Sequence, residues 1–154
     1  MRESPVPAPI YHPWRVLGRE WPHVELIHTD DLPPGRRADT NGVDEIRMRR
    51  RLLQVERRCS LAHELIHLER RDTGECPPAV EEAVTLEAAR RLIPWEQLLA
   101  AVRWARGEQE LADELWVTVP MLRARTGALH ANDLIEIARV VHDAHHVMPP
   151  EEHP

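Results

Sequence analysis

The chain has 154 residues, enough for one domain whose core needs neither disulfides nor a metal to fold. Hydrophobic residues make up 42% and charged residues 30%, the balance of a soluble globular chain, and a net charge of -6 argues against nucleic-acid binding through overall charge. No apolar run approaches the ~18 residues of a membrane span, no apolar signal segment opens the chain, and two cysteines are too few for a secreted framework, so a cytoplasmic location is expected.

Residues 1–10 are proline-rich and weakly apolar, which predicts a loose tail. A single domain is expected from 11 to 147. It opens with a short helix over Tyr11–Glu20, with Trp14 and Leu17 on one side. Val24–His28 is β-branched and alternating, the pattern of a strand. Asp30–Gly42 carries two prolines, two glycines and the pair Asn41-Gly42, which reads as a turn-rich connection. Val43–Met48 then gives a second strand, expected antiparallel to the first.

A long helix is predicted over Gln54–Arg70. At about 100° per residue, Val55, Cys59, Ala62 and Ile66 share one side while Leu61, Leu65 and Leu68 share another. Arg57, Arg58 and Glu69 mark narrow solvent windows. A helix apolar on two sides is central rather than superficial. His63-Glu64-Leu65-Ile66-His67 lies within it, beside the first apolar group. Two histidines four residues apart project from one helix face and can close on one ion, with Glu64 placed to act on a water there.

Asp72-Thr73-Gly74 ends this helix, and Pro77-Pro78 opens the next, which runs to Ile93 and stops before Pro94. Glu87, Arg90 and Arg91 form its solvent side. Glu81 and Glu82 fall instead in the arc of Val84, Ala88 and Leu92, where an unpartnered carboxylate is costly. An ion opposite removes that objection, so at least one of Glu81 and Glu82 is a candidate third ligand. The competing reading for either is a plain helix N-terminal acid stabilised by the macrodipole.

The remainder reads as helical. Trp95–Arg106 is amphipathic, Gly107 breaks it, and Glu108–Trp116 and Pro120–Arg125 flank Val117-Thr118-Val119 with helix-turn-helix-like spacing. That segment, 112–126, is read as packing. Asn132-Asp133 caps a last helix from Leu134 to His146, and 148–154 is a second tail. The class is α+β: a small antiparallel sheet packed on a central helix, followed by a mostly helical part. Cys59 reads as a packed core cysteine, with a Cys59–Cys76 disulfide or a Cys76 thiolate near the ion as lesser readings. Arg49-Arg50-Arg51 reads as a solvated strand end.

Leu61-Ala62-His63-Glu64-Leu65-Ile66-His67-Leu68, the following Glu81, and Ala88-Ala89-Arg90-Arg91-Leu92-Ile93-Pro94 together resemble the ImmA/IrrE metallo-endopeptidases of bacteria, phages and mobile elements. The resemblance covers roughly residues 11–140 and is strongest over 59–94. The interval from His67 to Glu81 is short for the family, and Thr85 stands where asparagine is common, which leaves Glu82 as an alternative. The family implies a zincin-like, gluzincin-type fold and site: Zn²⁺ on His63, His67 and Glu81, with Glu64 as general base. It implies hydrolysis by Glu-assisted attack of zinc-bound water on a specific cytoplasmic regulator, commonly a helix-turn-helix repressor, lying along the sheet's exposed edge. Tyr11, His142, His145 and His146 are the candidates for stabilising the oxyanion. The alternatives are a zinc-containing protein that binds a repressor without cutting it, and a DNA-binding regulator using 112–125. Nucleic acid and membrane are not expected partners.

Overall fold

Residues 10–146 are described by a computed structural model. In chain order the elements are α1 (Pro13–Glu20), β1 (Glu25–His28), β2 (Ala38–Thr40), β3 (Glu45–Met48), α2 (Gln54–Arg70), α3 (Pro78–Leu92), α4 (Trp95–Val102), α5 (Glu108–Glu114), α6 (Val119–Gly127) and α7 (Ala131–His146). The class is α+β, and no described helix is long and apolar enough to cross a membrane. The tails expected at 1–10 and 148–154 lie outside the described residues, apart from Ile10.

The two apolar sides of α2 divide the interior in two. Leu61, Leu65 and Leu68 pack with Val24, Ile46 and Met48 under the sheet. Cys59, Ala62 and Ile66 pack with Val84, Ala88 and Leu92 of α3 and with the helices that follow. Burying a leucine fully contributes about 2 kcal/mol, so the three leucines on one flank, with Cys59, Ala62 and Ile66 on the other, fix the position of α2 without help from its polar groups. One seam between the two packed sides carries His63, Glu64 and His67. The other carries Arg58 and Glu69. Glu69 forms a two-bond ion pair with Arg91 of α3, at 2.6 and 2.8 Å, which ties the two helices together.

Two readings of the sequence are corrected here. The sheet has three strands in the order β1-β3-β2 and is mixed: β1 runs parallel to β3, with Leu26 opposite Ile46, and only β2 and β3 are antiparallel. The missing strand, Ala38–Thr40, lies inside the connection that looked turn-rich throughout. Asn41-Gly42 is therefore the hairpin turn between β2 and β3, and the chain leaving β1 crosses to the far edge before turning back. The Asn41 side chain organises this turn, its Oδ1 accepting from the N–H groups of Val43, Asp44 and Glu45. The second correction concerns Arg58, which is 2% exposed rather than in a solvent window. Its guanidinium donates to the carbonyls of Trp116 (2.7 Å), Tyr11 (3.0 Å) and Leu115 (3.5 Å) and lies 5.2 Å from the centre of the Trp116 ring. Those carbonyls include the C-terminal end of α5, where a cation meets the negative pole of the helix. Burial lowers the pKa of this arginine, and its Nε has no partner.

In α1, Val16 and Leu17 rather than Trp14 face the sheet-side core. The segment 112–126 spans the end of α5 (Glu108–Glu114) and most of α6 (Val119–Gly127), two short helices. Met121 and Leu122 of α6 are buried, and Arg125 Nε donates to the carbonyl of Ile93 at the end of α3, so this face is used for packing. α7 starts earlier than expected, and Asp133 caps it from inside, its carboxylate accepting from His130 N–H at 2.9 Å.

The β2–β3 turn has a second task. Gly42 has φ +74°, and a Cβ there would stand 2.0 Å from the carbonyl oxygen of Asp72, in the loop after α2. The turn thus seats directly under that loop. Gly42→Ala is expected to lower stability by more than about 2 kcal/mol in urea or thermal unfolding, from backbone strain and overlap together.

Candidate metal centre

The seam of α2 that carries the histidines opens on a cleft of about 590 Å³, walled by β2, α3, the loop after α2 and the start of α6. His63 and His67 are one turn apart, and their Nε2 atoms lie 3.2 Å from each other. Glu81, in the first turn of α3, reaches across: Oε2 is 3.0 Å from His63 Nε2 and Oε1 is 3.2 Å from His67 Nε2. Donors at about 2.0–2.1 Å from a tetrahedral ion are separated by about 3.3 Å. The three distances lie near that value, the two to Glu81 ending on its two different oxygens, and with one ligand atom from each side chain within 4.8 Å of the others His63, His67 and Glu81 form a cluster able to hold a metal ion. Glu82 is exposed and turned away from it.

The hydrogen bonds behind the imidazoles show why this cluster suits a cation. His67 Nδ1 faces Asp72 Oδ2 at 3.0 Å, and that oxygen also accepts from Arg70 Nε at 2.9 Å. Burial works to raise the pKa of Asp72, but these two bonds outweigh it and hold the group below its ordinary range. An ionised carboxylate only accepts, so Nδ1 of His67 is the donor in this contact, and in the neutral tautomer that fits it the lone pair is on Nε2. That lone pair looks at Glu81, another acceptor. His63 is also held neutral: burial lowers its pKa, as does the neighbouring His67, against the opposing pull of Glu81. Its Nδ1 meets Thr85 Oγ1 at 3.3 Å, and a hydroxyl serves either tautomer because it donates or accepts. A cation between the imidazoles and Glu81 suits this arrangement, and an orienting carboxylate behind a histidine is the usual support of a metal ligand.

Glu64 sits beside this cluster, 6% exposed and with no hydrogen bond to a described residue. Burial pushes its pKa up to about 8, and the charges of Glu81 and Asp39 add to the effect while Arg36 opposes it. A dication nearby would favour the carboxylate again. The protein without a metal ion therefore holds Glu64 protonated near neutrality.

The other residues singled out from sequence are not brought here. Tyr11 is half-buried on the far side of α2, its hydroxyl beside Arg91 without a hydrogen bond of good geometry, and it does not line the cleft. His142, His145 and His146 are exposed on α7, where His142 and His146 stack with ring centres 4.0 Å apart. Cys59 is buried as expected, its sulfur accepting from Thr118 N–H at 3.5 Å, and both cysteines are free. Arg49 is spent on the carbonyls of Leu32, Pro33 and Arg36, and Arg50 on that of His28, which fastens the crossover connection. Asp72 went unrecognised because it reads only as part of a helix stop. Its one signal was an acid a short, glycine-bearing step after the second histidine.

Neither a protein-family model, nor a curated protein, nor a solved structure matches the chain. The functional reading accordingly rests on the site itself.

Two outcomes are expected. Asp72→Ala should weaken zinc affinity by about 10–100-fold in competition with a chelator, because His67 loses its fixed tautomer and orientation. In the metal-free protein, the folded-state pKa of Glu64 lies above its ordinary 4.5, at about 8. Its contribution is thus favourable below pH ~4.5 and is lost as the pH rises toward ~8. Glu64→Gln should remove this dependence, making the metal-free variant more stable than the parent at pH 7 by on the order of 3 kcal/mol, with the gap closing in acid. Chemical denaturation across pH measures it.

Proposed function

We propose that the protein is a zinc-dependent endopeptidase that cleaves a specific protein substrate, with His63, His67 and Glu81 holding the cation and Glu64 acting as general base. The observation that carries this reading is a buried, unbonded carboxylate beside three converging donors that line the same cleft. A structural site has no need of such a base.

His63, His67 and Glu81 would hold a cation, which when bound would lower the pKa of a water and polarise a substrate carbonyl. Glu64 takes the proton of the attacking water and passes it to the leaving amine. Asp72 keeps the proton of His67 on Nδ1, so that Nε2 remains a donor of electrons throughout. Thr85 holds the orientation of the His63 ring through Nδ1. The surroundings of Glu64, nearly closed to water, strengthen each of these interactions. β2 is an edge strand on the cleft wall, and an extended peptide can add to it by backbone hydrogen bonds before its carbonyl reaches the centre. The resemblance to ImmA/IrrE peptidases supports a regulatory protein, such as a helix-turn-helix repressor, as the substrate. It also supports action in the cytoplasm, in the setting of a phage or mobile element.

Glu64→Gln is the test. The variant is expected to keep one equivalent of zinc and to lose cleavage of a co-encoded repressor by at least about a hundredfold. A variant that retains zinc and the full effect on the repressor would show that the protein binds its target without cutting it.

A further inference from the structure

On the side of His67 away from His63, a second set of donors meets. Nδ1 of the ring lies 3.0 Å from Asp72 Oδ2 and 3.9 Å from Cys76 Sγ, and the three side chains can each offer one ligand atom within 4.8 Å of the others. Tetrahedral bonds of about 2.0–2.1 Å to nitrogen or oxygen and 2.3 Å to sulfur separate such donors by about 3.3–3.6 Å. The observed spacings straddle that range. Both Asp72 and Cys76 ride on the short loop between α2 and α3, shaped by left-handed Arg71 (φ 58°) and Gly74 (φ 80°) and seated on the Gly42 turn. Cys76 is in no disulfide and is partly accessible on the cleft wall.

We propose that His67 Nδ1, Asp72 and Cys76 form a second, inhibitory site for a thiophilic divalent cation. Binding requires the Cys76 thiol to release its proton to solvent, and the proton of the His67 ring to move from Nδ1 to Nε2. A neutral imidazole has a single lone pair, so a ring that ligates through Nδ1 no longer ligates through Nε2. The two sites therefore compete for one histidine, and occupancy of the second expels or weakens the ion at the first. The inhibitory consequence rests on the peptidase reading; the site itself does not. A soft ion such as Cd²⁺, or excess Zn²⁺, favours it because only this set contains sulfur.

The test is a titration of the metal-free full-length chain with Co²⁺, followed by the absorption of thiolate-to-cobalt charge transfer. The first equivalent is expected to bind without a thiolate band, which then grows as further cobalt is added. Cys76→Ser should abolish the band and leave the first equivalent unchanged, which also excludes Cys59 as its source. His63→Ala, which weakens only the first set, should show the band from the first equivalent onward. A thiolate band from the first equivalent in the wild type, or no Cys76-dependent band at any ratio, overturns the proposal. In the cleavage assay, Cys76→Ser should raise the Cd²⁺ concentration needed for inhibition more than about tenfold; an unchanged requirement also overturns it. The two readings fail separately, since an absent band removes only the second site whereas cleavage by Glu64→Gln removes only the peptidase.

Discussion

Two imidazoles and a carboxylate directed at one point make a cluster that suits a cation, and most of the structure serves to hold them there. Helix α2 is fixed from both flanks, by leucines under the sheet and by small residues and Ile66 against α3, so its histidines cannot rotate out of the seam. The Glu69–Arg91 pair sets α3 against α2 and with it the reach of Glu81. The loop after α2 sits on the Gly42 turn, which fixes the carboxylate that decides the tautomer of His67. Their shared product is a cluster in which His63, His67 and Glu81 bring nitrogen and oxygen atoms to 3.0–3.2 Å of one another.

Helical periodicity carried the part of this that was legible in the chain alone. The two apolar sides of α2 in the wheel became the two cores, and the bounds Gln54–Arg70 agree with those expected. Glu81 and Glu82 stood out because both fell on an apolar arc, and in the structure Glu81 is the one that clusters with the histidines while Glu82 is exposed. The sheet was less legible. Ala38–Thr40 is three residues long inside a run of prolines, glycines and arginines, and so short a strand has no periodicity to detect. Missing it led directly to the wrong relation between β1 and the central strand β3, because the hairpin belongs to β2 and β3. Arg58 was misjudged for a related reason: charge predicts exposure only where no cluster of carbonyls is waiting, and the three that receive it come from residues 47 to 58 positions away.

The pieces of the site differ in how local they are. His63, Glu64 and His67 follow from one helical turn, and a glutamate on the next helix completes the set. Asp72, Thr85 and Cys76 acquire meaning only once the tertiary arrangement places them behind the imidazoles. The buried Glu64 links the two levels. Its position is local, but its raised pKa comes first from burial in a cleft that residues from four segments close.

An X-ray absorption spectrum of the protein carrying one equivalent of Zn²⁺ tests the central geometry most directly. The account predicts a first shell of nitrogen and oxygen only, at about 2.0–2.2 Å, with outer-shell scattering from two imidazoles. Sulfur in that first shell, or a protein that holds no stoichiometric zinc, would contradict it.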